Sequence, residues 1–189
     1  MNLTEAVGFV FGVAAVALMA RQSVWAWPLG LVNLGAYILV FREARLYADM
    51  ALQVVYVAFS LYGWAHWARG GTGGGALPVT RTPPAVLVGA LTLGGAGFFA
   101  LGTLLHRLTD ASLPFLDSAL SAFSLVAQAL QTRKWIENWH LWIAVDAVYV
   151  GMYVFKQLYL TALLYAVFLG LAVVGLRAWR ADLRSRATG

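Results

Sequence analysis

Five side chains suited to gripping a flat, charged molecule stand at helical spacing: Trp139, Trp142, Asp146, Tyr149 and Tyr153. Intervals of three and four residues put them on one face of a helix. The opposite face (Ile143, Ala144, Val148, Met152) holds nothing polar. Trp and Tyr rings attract cations by up to about 2 kcal/mol when water is excluded. A carboxylate between them would offset the hydration that a cation gives up on entering an apolar site. The stripe predicts a binding wall, with Trp139 and Trp142 at one end of it.

Three further stretches repeat the pattern. Trp27, Gly30, Asn33, Tyr37 and Phe41 share one stripe; Asp49, Gln53, Tyr56, Ser60 and Trp67 share a second; Asp117, Ser121, Ser124, Gln128 and Gln131 share a third. The amides of Asn33, Gln53 and Gln128 can both donate to and accept from hydroxyl groups. The candidate binding residues are therefore Trp27, Asn33, Tyr37, Gln53, Tyr56, Gln128, Trp139, Trp142, Asp146 and Tyr149. Ser60, Ser121, Ser124 and Gln131 read equally well as interhelical hydrogen bonds, worth about 0.6 kcal/mol each. Asp49 and Asp117 fall near helix ends, at a mouth or interface, and Trp25, Trp64 and Trp67 suit the aromatic belt of a membrane surface. His66 and His140 fit solvated helix ends. Catalysis has no visible machinery, because no nucleophile is paired with a base. Cysteine is absent, and the three His (His66, His106 and His140) lie far apart in sequence, so neither metal nor cofactor is expected.

The elements that must hold these residues are membrane spans. Hydrophobic residues make up 61% of the 189, charged ones only 11%, and the mean hydropathy is +0.75. A soluble domain carries about 25% charged residues, so the chain reads as an all-α polytopic membrane protein whose surroundings are the lipid bilayer. Seven stretches approach the roughly 20 apolar residues that a bilayer requires: 3–20, 24–41, 46–67, 85–105, 113–132, 139–155 and 158–178. Glu5 and the lack of a basic start distinguish the first from a signal peptide. The net charge of +5 belongs to loops and the C-terminal end, which excludes a nucleic-acid surface. With the N-terminus outside, Arg21, Arg69, Arg81, Arg133, Lys134, Arg177, Arg180, Arg184 and Arg186 lie inside, against Arg42, Arg45, Arg107 and Lys156 outside. That asymmetry predicts an outside N-terminus and a cytoplasmic C-terminus. The last arginines read as a solvated stop touching anionic lipid. Between Arg69 and Pro84, five glycines and three prolines predict a flexible tether.

Shifted by 112 residues, the chain aligns with itself without a gap. Arg21 meets Arg133, Trp27 meets Trp139, Tyr37 meets Tyr149, Leu46-Tyr47 meets Leu158-Tyr159, Gly63 meets Gly175 and Trp67 meets Trp179. Three spans per half, separated by one more, bring both halves into the membrane in the same sense. The result is a 3+1+3 parallel repeat. The predicted divisions are 1–68 (first repeat), 69–84 (Gly/Pro-rich linker), 85–110 (linking helix) and 111–189 (second repeat with a basic tail). Such repeats hold a substrate between the halves near mid-membrane, which points to a transporter rather than an enzyme or an assembly subunit.

Trp27-Pro28-Leu29-Gly30…Asn33, Leu46-Tyr47-Ala48-Asp49…Gln53, Tyr62-Gly63-Trp64, Glu137-Asn138-Trp139…Trp142 and Leu158-Tyr159-Leu160-Thr161-Ala162-Leu163-Leu164-Tyr165 resemble the PnuC family of bacterial vitamin transporters. The resemblance spans nearly the whole chain. It implies a SWEET-like fold in the bacterial cytoplasmic (inner) membrane, and facilitated uptake of nicotinamide riboside that a cytoplasmic kinase then traps. Relatives take up thiamine or riboflavin, and a proton-coupled symporter is the other alternative. Nicotinamide riboside and thiamine carry a fixed positive charge that suits Asp146, whereas riboflavin is neutral. Whether copies of the chain assemble is open at this stage.

Overall fold

Apolar runs become helices almost where their composition places them. The computed structural model describes residues 3–43, 47–71, 74–108 and 113–187. Its helices are α1 (Leu3–Ala20), α2 (Ala26–Glu43), α3 (Tyr47–Arg69), α4 (Pro84–Leu108), α5 (Pro114–Thr132), α6 (Glu137–Phe155) and α7 (Tyr159–Ala187). Among the described residues, three stretches are long and apolar enough to cross a membrane: Leu3–Ala20, Pro84–Leu108 and Thr161–Arg186. The others carry most of the polar stripes. The last helix runs well past its expected end at 178. Arg and Ala propagate a helix well, and Arg186 Nε reaches Asp182 Oδ2 at 3.0 Å, one turn back. The expected basic stop is thus an additional stretch of helix.

The two halves share their turn chemistry. After α1, Ser23 N–H donates to Leu18 O (2.9 Å) and Gln22 N–H to Met19 O (2.9 Å). After α5, Trp135 N–H donates to Leu130 O (3.2 Å) and Lys134 N–H to Gln131 O (3.0 Å). This is the Schellman cap, whose central residue must be left-handed; Gln22 and Lys134 both have φ near +59°. Each pair of equivalent atoms stands 112 residues apart. Packing follows the same symmetry. The helices form a closed ring, α1–α2–α3–α5–α6–α7 and back to α1, in which α1–α7 and α3–α5 are the seams between halves; α4 packs outside, against α5.

The end of the ring bearing these two turns is sealed by four tryptophans. Trp27 meets Trp67 edge-on (5.4 Å, 87°), Trp139 meets Trp179 likewise (5.4 Å, 85°), and Trp67 and Trp179 join the pairs at 5.9 Å. Both pairs obey the 112-residue shift. Glycine makes each pair possible. A Cβ on Gly63 would lie 2.6 Å from Trp27 Cζ2, and one on Gly175 2.5 Å from Trp139 Cζ2. Trp67, expected in the aromatic belt, is instead buried in this cluster, between an edge-on Trp27 and a tilted Trp179.

The linker differs from the tether expected of its composition. Thr80 N–H donates to Lys134 O and Ile136 N–H to Thr80 O, a short parallel bridge. Lys134 Nζ donates to Leu77 O at 2.6 Å, and the Thr82 N–H and hydroxyl both donate to Glu137 Oε2 (2.8 and 2.7 Å). Val79, 1% exposed, inserts among the tryptophans. The glycines end at 75; the segment 76–82 has side chains to bury and backbone groups that find partners. It straps the α5–α6 turn.

Candidate functional site

Inside the ring lies a cavity of about 450 Å³, lined by all six ring helices and by no residue of α4. The stripes read from helical spacing converge there: Trp27, Asn33, Tyr37, Gln53, Tyr56, Gln128, Trp139, Trp142, Asp146 and Tyr149 all line it. Its lining also includes residues that spacing alone did not single out, among them Phe9, Val16, Leu164 and Phe168. These are apolar residues on helices that look uniformly lipid-compatible, so no polar contrast marked them.

The walls differ in polarity although the repeat makes them equivalent. On α5 the lining is Ser121, Ser124, Gln128 and Gln131; the same positions on α1, 112 residues earlier, are Phe9, Gly12, Val16 and Met19. The α3–α5 seam adds Gln53, Tyr56 and Ser60, and the α1–α7 seam adds Phe168 and Ala172. A ligand with a hydroxylated end and a flat apolar end can satisfy both walls in only one orientation. The lining set includes one charged side chain among the described residues, Asp146, whose equivalent is Leu34. Asp146 is 5% exposed.

The candidate residues are held in different ways. Asn33 Nδ2 donates to Gly8 O at 2.6 Å, where α1 has no side chain in the way; half of its amide is thus occupied in joining α1 to α2. Gln128 Nε2 approaches Ser60 Oγ at 3.5 Å, a long contact across the α3–α5 seam that leaves most of the amide's capacity to the cavity. Trp142 Nε1 donates to Gln131 Oε1 at 2.8 Å. Trp27 and Trp139 have buried indole N–H groups with no acceptor and are fixed by the glycine contacts. Away from the tryptophan seal, Tyr149 stacks on Tyr153 (5.7 Å, 11°) and meets Tyr165 at a tilt (4.4 Å, 34°), and Tyr165 meets Phe168 edge-on. His140 does not stand free at its helix end, because Arg180 Nη2 lies 2.9 Å from its Nε2. The Asp49 side chain lies outside the described residues. Among the described residues no group of three His, Asp or Glu could hold a metal ion.

A closed ring of helices in two repeated halves, lipid-compatible outside and polar within, is the architecture of a membrane transporter. A family model described as nicotinamide mononucleotide transporter matches residues 2–181. The chain belongs to that family, the PnuC transporters, and is not an enzyme. The nicotinamide riboside transporter PnuC of Escherichia coli (strain K12) is 28% identical, covering 100% of this chain and 89% of its own. The riboflavin/roseoflavin transporter RibM of Streptomyces davaonensis is 29% identical, over 97% of this chain and 86% of its own. A crystal structure of the vitamin B3 transporter PnuC matches with a TM-score of 0.77 at 23% identity, covering 96% of this chain and 82% of that one. At that identity the likeness establishes the shared fold.

Proposed function

We propose that the protein carries nicotinamide riboside across the bacterial inner membrane by facilitated diffusion, and that the ten residues named above contact it. The observation that carries this reading is the charge of the cavity lining: one carboxylate, Asp146, and no Lys, Arg or His among the described residues. A nucleotide's phosphate would leave water without a cationic partner, at a cost of several kcal/mol. A riboside with a cationic ring gains the carboxylate and the Trp and Tyr faces instead. Its ribose hydroxyls match the Gln, Ser and Tyr groups of the α3–α5 wall. Riboflavin, the cargo named for one relative, is neutral and gains nothing from the charge.

The basic residues Arg21, Arg69, Arg81, Arg133 and Lys134 gather at the sealed end, which supports a cytoplasmic location for it and an outside N-terminus. The divisions 1–68, 69–84, 85–110 and 111–189 then describe two repeats, a linker and a linking helix. A cytoplasmic kinase acting on the delivered riboside would keep the gradient inward. Calorimetry on the purified protein tests the assignment. Nicotinamide riboside should bind more tightly than thiamine, with riboflavin and nicotinamide mononucleotide weaker by about tenfold or more. Tightest binding by riboflavin or the mononucleotide would overturn it.

A further inference from the structure

Three tryptophans line the cavity, and they are held by two different means. Trp27 and Trp139 are wedged against glycines with their N–H groups unpartnered. Trp142 is less buried than either and has no glycine seat. Its indole N–H instead donates to Gln131 Oε1 at 2.8 Å, from the last turn of α5 to the second turn of α6. Gln131 is itself 7% exposed and lines the same cavity. The repeat shows that this pair is no consequence of the fold. At the equivalent positions of the first half stand Met19 and Gly30, which can form no such bond, yet the same turn and ring are built there.

We infer that Gln131 is a positioning residue: it fixes the rotamer of Trp142 so that the ring presents its face to the substrate. A tryptophan on a cavity wall has two free side-chain torsions. Without its acceptor the N–H would be desolvated and unpaired, and the ring would turn to seek another partner. With the N–H occupied, the site offers the substrate the ring's π face. The role is one of substrate recognition, and it rests on the nicotinamide riboside reading above.

The test is a double-mutant cycle read by calorimetry with nicotinamide riboside, using Gln131→Met and Trp142→Phe. Each single change deletes the same hydrogen bond while keeping an apolar or aromatic side chain in place. Each should weaken binding about three- to tenfold, and the double variant should be no weaker than the poorer single one. Single losses that multiply in the double variant would overturn the positioning role. An indole 1H–15N spectrum, with the Trp142 signal assigned by its disappearance in Trp142→Phe, reads the ring directly without any ligand. Gln131→Met should move or broaden that signal and leave the other seven tryptophans near their places. An unmoved Trp142 signal defeats the inference. A moved signal in a protein that binds no nicotinamide riboside would sink the substrate assignment while the positioning role stands.

Discussion

Asp146 and the glycines at 63 and 175 show how single residues act here. Asp146 makes no hydrogen bond or ion pair with another described side chain, so its carboxylate is left for the cavity's contents. A unit charge a few ångströms from it gains on the order of several kcal/mol at an effective dielectric of about 20, much of it offset by desolvation. Asp146→Asn keeps the shape and deletes the charge. Affinity for nicotinamide riboside should fall several-fold, while a neutral reduced-ring riboside should bind nearly unchanged; equal losses for both would make Asp146 a mere hydrogen-bonding group. Gly175 acts by having no side chain. Its substitution by Ala sets a methyl group against a rigid indole that Trp179 backs from the other side. Overpacking of this kind costs about 1–3 kcal/mol, so Gly175→Ala should lower the melting temperature. Replacing Gly151, which has open space around it, should cost far less at the same thermal-shift measurement.

At the scale of elements, the strap and its turn carry a charge whose placement can be tested by pH. Lys134 is buried, with its Nζ on Leu77 O and 4.7 Å from the centre of the Trp67 ring. Burial pushes its ammonium down to about 8 from the usual 10.5; Asp182 opposes that shift and Arg186 adds to it. The unfolded chain therefore keeps this proton up to about pH 10.5 and the folded chain only up to about 8. Between those values the unfolded state binds more protons, so stability rises with pH across that window. The slope is at most about 1.4 kcal/mol per pH unit, and less to the extent that water reaches the ammonium. The melting temperature of the native protein, compared with Lys134→Met at each pH, should climb between pH 8 and 10. A flat difference would show that the strap does not desolvate Lys134. The strap also marks where sequence reasoning stops. The helices were legible because apolar runs and three-to-four spacing are local. The contacts of Leu77 and Thr82 join residues 57 and 55 positions apart, which no period reveals. Gln22, Lys134 and Gln157 take the left-handed conformation where Gly would have advertised a cap. In the site, the stripes were legible for the same local reason. The Gln131–Trp142 bond was not, because Gln131 reads equally as helix-to-helix packing until its partner is seen.

The whole molecule is a symmetric ring around an asymmetric cavity. Backbone turns, glycine-seated tryptophans and seams obey the 112-residue shift, whereas the cavity's polar groups are concentrated in the second half and the α3–α5 seam. That division suits a carrier: equivalent halves can rock about a fixed site, while the unequal walls keep one ligand orientation. The four tryptophans and the strap close one end, so delivery through that end requires them to part. Asp146 is the one acid among the described residues lining the cavity, and no second carboxylate there could receive its proton in a relay. A carrier whose two facing states differ only in access equalises concentrations, because binding cannot shift an equilibrium beyond the ligand's own differential affinity. In proteoliposomes clamped at zero membrane potential, labelled nicotinamide riboside, a cation, should enter until inside and outside concentrations match. An imposed pH or sodium gradient should change neither the plateau nor its level relative to an ionophore-treated control. Accumulation above the external concentration under either gradient would show that Asp146, or another group of the ring, couples transport to an ion.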